Sequence, residues 1–256
     1  MDRKKFKVSF EGHDEFLIAS LCDDIELCEE IEYPVYTKYF YPPQIIKKIL
    51  DMTIGNLKFE KYGLNDDCEK NMIAIYPSEF EEILDFPVVF FKIQNKSKFK
   101  TLAHKDYLGS ILGLGLKREL LGDLIVEGDF CYGIATEESF KIIEEKLDVV
   151  GRNPVEISKI IREEVPQMKY EEISTTVTSL RLDNIVPSIV NLSRNKSLEL
   201  IESGLVSVNY SVEKDKSRIL KEKDVVTIYK KGKYIFIKQI GESKKGKLRI
   251  YINKFD

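Results

Sequence analysis

Between Phe86 and Glu163 the hydrophobic pattern alternates between strand-like and helix-like segments in an order that few folds accept. "VVFFKIQN" (88–95) reads as a strand, and the first part of "HKDYLGSILGLGLKREL" (104–120) as a helix. "GDLIVEGDFCYGIA" reads as a hairpin turning at Gly128-Asp129. A helix capped by Thr136, "TEESFKIIEEKL", and a last strand in "VEISKIIRE" complete the series. The order β-α-β-β-α-β is that of a split βαβ, ferredoxin-like domain, which RNA-recognition domains share. Their aromatic-rich central-strand signature is not evident here, so the topology alone says nothing about RNA.

Upstream, residues 11–32 hold nine acidic residues and no Lys or Arg, with Leu17, Leu21, Ile25, Cys28 and Ile31 at helical spacings. This predicts an amphipathic helix, or a helix pair, with an acidic outer face that repels phosphates. Pro42-Pro43 suits the opening of a helix with Ile45, Ile46, Ile49 and Leu50 on its apolar side. The rings of Tyr33, Tyr36, Tyr39, Phe40 and Tyr41 are read as core and turn packing rather than as a base-stacking surface. Gly63 and Asn65-Asp66 mark a loop before the apolar stretch "NMIAIYP".

Net charge conceals an asymmetry. Leu180 to Asp256 carry 17 Lys and Arg against 9 Asp and Glu, a balance of +8, while the rest of the chain stands at −11. A basic C-terminal module on an acidic body points to a polyanion-binding end. That module reads as helices over Leu182 to Val190 and Arg194 to Ser203. Strands follow at Leu205 to Asn209, Val225 to Lys230, Lys233 to Gln239 and Lys247 to Asn253. Ser193 is placed to cap the second helix, and Gly204 to end it in the left-handed conformation. Arg194 and Lys196 occupy the helix end where the dipole disfavours cations by a few tenths of a kcal/mol, a cost that a bound phosphate would reverse. The polar face of the strand after Gly204, with Ser207 and Asn209, is expected beside that helix start.

Chemistry-bearing motifs are otherwise sparse. Gly113-Leu-Gly115 lacks the third glycine of a dinucleotide fingerprint, and no Lys-Ser or Lys-Thr completes a P-loop. With two histidines in the chain, His104-Lys105-Asp106 reads as a helix start rather than as a metal or acid-base pair. Cys22, Cys28, Cys68 and Cys131 form no C-x-x-C pair, and scattered thiols fit a cytoplasmic protein. No apolar run reaches the ~20 residues of a membrane span, and the first residues lack the apolar segment of a signal peptide. No cofactor or metal is expected.

From Leu180 to Ile228 the chain resembles an S4 domain, the small RNA-binding module of ribosomal protein S4, of Hsp15-type heat-shock proteins, of bacterial tyrosyl-tRNA synthetases and of many pseudouridine synthases. The resemblance rests on Arg181-Leu182-Asp183, Ser193-Arg194-x-Lys196-Ser197, Gly204-x-Val206-x-Val208-Asn209 and Lys223-Asp224-x-Val226, with a departure at Leu198. "LAHKDYLGSILGLGLKRELLGDLIV" is similar to the middle domain of YlmH-type S4 proteins, and "FYPPQIIKKIL" to their N-terminal segment. The paired Gly and Glu-Arg of that family stand here as Gly63-Leu64 and Glu69-Lys70. The resemblance implies a non-enzymatic factor that binds rRNA or tRNA on the large ribosomal subunit, in ribosome quality control or translation. It implies RNA contacts at Arg181, Ser193, Arg194, Lys196, Ser197 and Asn209, with Asp183 orienting a cation. Lys230, Lys231, Lys233, Lys244, Lys245 and Lys247 would add diffuse phosphate attraction.

The expectation is therefore an α+β protein in three parts: a mixed N-terminal domain (1–84), a ferredoxin-like, RRM-like middle domain (85–165) and, after a linker (166–179) whose "VPQMKYEEISTTVTSL" also reads as an edge strand, an S4 (αL-type) domain (180–256). It is expected to be a cytoplasmic monomer whose acidic N-terminal part meets a protein partner. The rival readings are an RNA-modifying enzyme of pseudouridine synthase or methyltransferase type, and a division-linked interaction protein.

Overall fold

Two aspartates open the first helices. Oδ1 of Asp2 accepts the amides of Lys4 and Lys5 at the head of α1 (Arg3–Ser9), and Oδ1 of Asp14 accepts that of Leu17 at the head of α2 (Glu15–Ile31). The computed structural model describes residues 1–97, 100–243 and 246–255. They fall into two compact units, Met1–Gln167 and Met168–Asp256. No helix among the described residues is long and apolar enough to cross a membrane.

In the first unit α2 buries Leu17, Leu21, Ile25 and Cys28 and leaves Asp23, Glu29, Glu30 and Glu32 exposed, so the acidic stretch is one helix. Ile31, assigned to its apolar side from spacing, is instead exposed in the last turn. Arg3 of α1 pairs with Asp23 and Glu26 at 2.6 and 2.7 Å on that acidic side. Strand β1 (Val35–Tyr36) is followed by α3 (Pro43–Leu50), which starts at the proline pair as expected, and by β2 (Leu57–Gly63) and β3 (Asn71–Pro77). The three strands form an antiparallel sheet in the order β1-β3-β2. Leu21, Ile25, Ile45, Ile49, Ile73 and Ile75 share one core between sheet and helices. Phe40 and Tyr41 are fully buried, which agrees with the core reading of the tyrosine-rich segment, whereas Tyr33 stands out into solvent.

The second sheet follows the expected order: β4 (Val88–Asn95), α4 (His104–Leu112), β5 (Leu121–Glu127), β6 (Phe130–Thr136), α5 (Glu137–Lys146), a short β7 (Val149–Val150) and β8 (Asn153–Ile160). The strands are antiparallel and ordered β5-β6-β4-β8-β7, which is the split βαβ arrangement with one added edge strand. His104 and Thr136 occupy the helix starts assigned to them, with Thr136 Oγ1 accepting the Ser139 amide and Asp106 accepting that of Ala103. Phe91, Ile93, Tyr107, Ile111, Cys131, Phe140 and Ile143 fill the space between sheet and helices.

Phe90 and Ile134, on the opposite face, join Phe40, Leu64, Met72 and Val165 in a further core. The boundary drawn between residues 84 and 85 thus separates two sheets but not two cores. The motif residues of this region serve the same joint. Asp123 Oδ2 accepts the amides of Glu69 and Lys70 at 2.5 and 2.9 Å, and Arg118 Nη1 donates to the carbonyls of Leu121 and Gly122 at 2.7 and 3.1 Å. A Cβ on Gly63 would lie 2.3 Å from Cys68 Sγ and 2.9 Å from the Lys70 carbonyl, so the loop closes only over glycine.

The second unit begins earlier than residue 180. Strand β9 (Tyr170–Val177) lies inside the segment read as a linker or an edge strand, and it is the edge strand. It pairs along its whole length with the last strand of the chain, from Tyr170↔Phe255 to Val177↔Leu248. Its outward residues Glu172, Ser174 and Thr176 are exposed and polar, as an edge strand with one half-buried face permits. Helices α6 (Leu182–Val190) and α7 (Arg194–Glu202) come next. They are followed by β10 (Val206–Val208), β11 (Ser211–Val212), β12 (Val225–Ile228), β13 (Gly232–Glu242) and β14 (Leu248–Phe255). The sheet is antiparallel in the order β11-β10-β12-β13-β14-β9. Leu182, Ile185, Val186, Ile201, Val206, Val226, Phe236 and Ile250 make its core.

Candidate nucleic-acid interface

Burial fixes the register of α6 and α7, and that register decides which side chains remain outside. Arg181 is the N-cap of α6 and Asp183 its second residue, while Ser193 caps α7 and Arg194 is its first residue. Asp183 is 3% exposed and its two partners are open to solvent, at 42% for Arg181 and 67% for Arg194. Its Oδ1 accepts from Arg181 Nε at 3.0 Å, and its Oδ2 from Arg181 Nη2 and Arg194 Nη2, both at 3.2 Å. Asn184 Nδ2 adds a fourth donor at 3.2 Å. The Arg181 hydrogen bond, supported by that of Arg194, holds the Asp183 carboxyl below the usual carboxylate range against the effect of burial. One buried anion therefore aims two guanidiniums outward, and planar guanidiniums fork onto phosphate oxygens.

Ser193 accepts the Lys196 amide at 3.4 Å, the expected cap, and Lys196 itself is exposed. Two residues assigned to the same surface are placed otherwise. Ser197 is fully buried and its hydroxyl donates to the Ser193 carbonyl at 3.2 Å, so it braces the helix start from within. Asn209 lies beyond the end of β10 with φ +49°, donates from Nδ2 to Asp224 Oδ1 at 2.8 Å and accepts the Val225 amide at 3.0 Å. Its amide closes a turn that a Cβ-bearing residue enters only with local hydrogen bonds. Asp224, from the Lys-Asp motif, is the buried anchor of this turn and also accepts the Lys221 amide at 2.8 Å.

The C-terminal lysines form a separate patch. Lys230 and Lys231 are exposed at the β12-β13 turn, where the Tyr229 amide donates to the Leu205 carbonyl just past the end of α7. Arg194 is at the opposite end of that helix, about 13 Å away along nine residues at 1.5 Å each. Lys233 is half-buried, with Nζ 4.6 Å from the Phe255 ring centroid and 5.7 Å from that of Tyr210. Lys247 is exposed beside β14, and Lys244 and Lys245 lie outside the described residues.

Sequence reasoning missed the loop between β11 and β12. Asp183 donates its amide to the Lys216 carbonyl at 3.1 Å and Leu182 to that of Arg218 at 2.8 Å, so this loop closes over the head of α6. Lys216 and Arg218 thereby join the surface, paired with Glu202 at 3.3 Å and Glu213 at 2.7 Å. The run "EKDKSR" reads as a solvated mixed-charge loop, and only the backbone pairing shows where it folds.

Residues 77–164 match a family described as a putative RNA-binding domain in YlmH, and residues 180–226 match the S4 domain. The ribosome-associated protein quality control protein P2 of Bacillus subtilis (strain 168) is 31% identical over 191 residues, covering 73% of this chain and 74% of that protein. A solved structure, the cell division protein ylmH from Streptococcus pneumoniae, is similar at 26% identity and a TM-score of 0.48, over 59% of this chain and 93% of that one. These relatives carry RNA-binding or ribosome-associated names, or a cell-division one, and no catalytic family is among the matches. With its middle and C-terminal domains both matched and most of its length shared with a curated relative, the chain belongs to the YlmH family of S4-domain RNA-binding proteins.

Proposed function

We propose that this protein docks on structured rRNA of the large ribosomal subunit, in reach of tRNA, and acts there in ribosome quality control without performing chemistry. The observation that carries the reading is the Asp183-centred pair of outward guanidiniums beside Lys196. Such a surface recognises backbone phosphates at a fixed separation, which is the way proteins recognise folded RNA by shape. The S4 unit carries the contact through Arg181, Arg194 and Lys196, and Lys230 and Lys231 add longer-range attraction. The exposed carboxylates of α2 do not favour RNA and suit a protein partner, so the acidic N-terminal part orients or recruits while the S4 unit docks on structured RNA. The protein works in the cytoplasm as a monomer.

The test is co-sedimentation with purified 50S particles. Arg194→Ala with Lys196→Ala is expected to reduce binding by tenfold or more at physiological salt, and unchanged binding by this folded double variant sinks the assignment.

A further inference from the structure

We infer that the middle domain carries a second RNA site, a stacking platform for unpaired nucleotides formed by Phe130 and Tyr132 with Lys92; this rests on the RNA-binding reading above and adds a ligand class and residues to it. Alternation along β6 sends Cys131 into the core beneath α4 and α5, and Phe130 and Tyr132 to the other face of the sheet. The register with β4 sets Lys92 opposite Tyr132 and Gln94 opposite Phe130, in the two central strands of the sheet. One end of this face is covered, since Phe90 and Ile134 pack on Phe40, Leu64 and Met72. The cover reaches Tyr132, which packs against that core while remaining half-exposed. Beyond it Phe130, Lys92 and Gln94 are half-exposed.

The two ring centroids are 6.3 Å apart with planes at 45°, and Lys92 Nζ stands over the Phe130 ring, 5.5 Å from its centroid, so a base that stacks on that ring displaces the ammonium toward the linking phosphate. Half-buried rings side by side on a rigid sheet can take successive bases on their solvent side, and the displaced ammonium reaches the linking phosphate. Charge makes the ligand class narrower. Glu127 faces Phe130 from β5, and Glu156 faces Gln94 from β8, where it pairs with Lys96. Lys96 is engaged by Glu156 and by Gln94 Oε1, so among the described residues of this face Lys92 is the cation we assign to a phosphate, and stacking on unpaired bases supplies most of the platform's affinity.

The experiment uses the full chain, a labelled single-stranded octanucleotide and a labelled RNA hairpin. Phe130→Ala and Tyr132→Ala should each weaken the single strand by about fivefold or more, as loss of one stacked base does. Both should leave the hairpin within twofold, and Tyr132→Phe should retain single-strand binding. Arg194→Ala with Lys196→Ala should give the reverse pattern. Salt dependence separates the sites, with a slope near −0.7 in log K against log salt for one phosphate on the platform. If Phe130→Ala unfolds the domain by circular dichroism, Phe130→Leu, which keeps the apolar bulk without the aromatic face, carries the test. Single-strand binding that survives the ring variants, that is lost in the Arg194/Lys196 variant alone, or that is absent while the hairpin binds overturns the platform. Failure of both RNAs to bind overturns the RNA-binding reading itself.

Discussion

Oδ2 of Asp183 lies 3.2 Å from Nη2 of Arg194, which ties the second residue of α6 to the first residue of α7. The same carboxylate holds Arg181 through two hydrogen bonds. Two cations that the chain separates by 13 positions are thus held by one buried atom group, and their spacing is fixed before any ligand arrives.

Asp183→Asn tests that pre-organisation. The variant keeps the volume, loses the charge that aligns both guanidiniums and is expected to weaken binding to structured RNA by about tenfold. Its stability should fall by about 1–2 kcal/mol at pH 7, less than for a fully buried pair because both arginines are solvated. Asp183 has its folded pKa depressed, so the stability it contributes is present above the unfolded value near 3.9 and lost as pH falls through the folded one. Urea melts of wild type and variant should therefore converge at strongly acidic pH.

The two basic patches should act independently. Arg194/Lys196 and Lys230/Lys231 flank opposite ends of α7 and share no partner among the described contacts, so alanine substitutions in each should add in log Kd. Each lost phosphate contact should also reduce the salt slope by about 0.7–0.9, read from titrations between 50 and 300 mM salt.

Asp24, on α2, has a buried Oδ2 without a hydrogen-bond partner, and burial raises its pKa to about 6. A carboxyl raised in the fold contributes its stability below the unfolded pKa and loses it as pH rises through the folded one, here between about pH 4 and 6. Asp24→Asn should consequently be more stable than wild type at pH 8 by about 1 kcal/mol and indistinguishable near pH 4. Thermal melts at the two pH values measure both.

Gly122→Ala should loosen the joint between the two sheets of the first unit. A Cβ there would stand 2.4 Å from Ile134 Cγ2 and 3.1 Å from the Phe40 ring, both fully buried. Overpacking of this kind costs about 1–3 kcal/mol. Hydrogen exchange should show the loss in β5 and β6, with the S4 unit unchanged.

Local signals made much of this protein legible before folding. The Ser193 cap, the helix over Leu182 to Val190, the Gly128-Asp129 hairpin and the β-α-β-β-α-β order are written in residues close together in sequence, where capping and periodicity act. Local charge at a helix start singled out Arg194 and Lys196, and the S4 resemblance added Arg181. Tertiary structure alone decided how such residues are used. It paired "YEEISTTV" with the last strand some 80 residues away, buried Ser197, turned the Asn209 amide onto Asp224 and folded the Lys216–Arg218 loop over α6. It also brought Phe130 and Tyr132 onto one half-buried face with Lys92, although the strand holding them shows no dense aromatic signature. The physical reason is common to these cases: a polar or aromatic side chain acquires its role from whatever long-range pairing and burial place opposite it, and neither is encoded in its immediate neighbours.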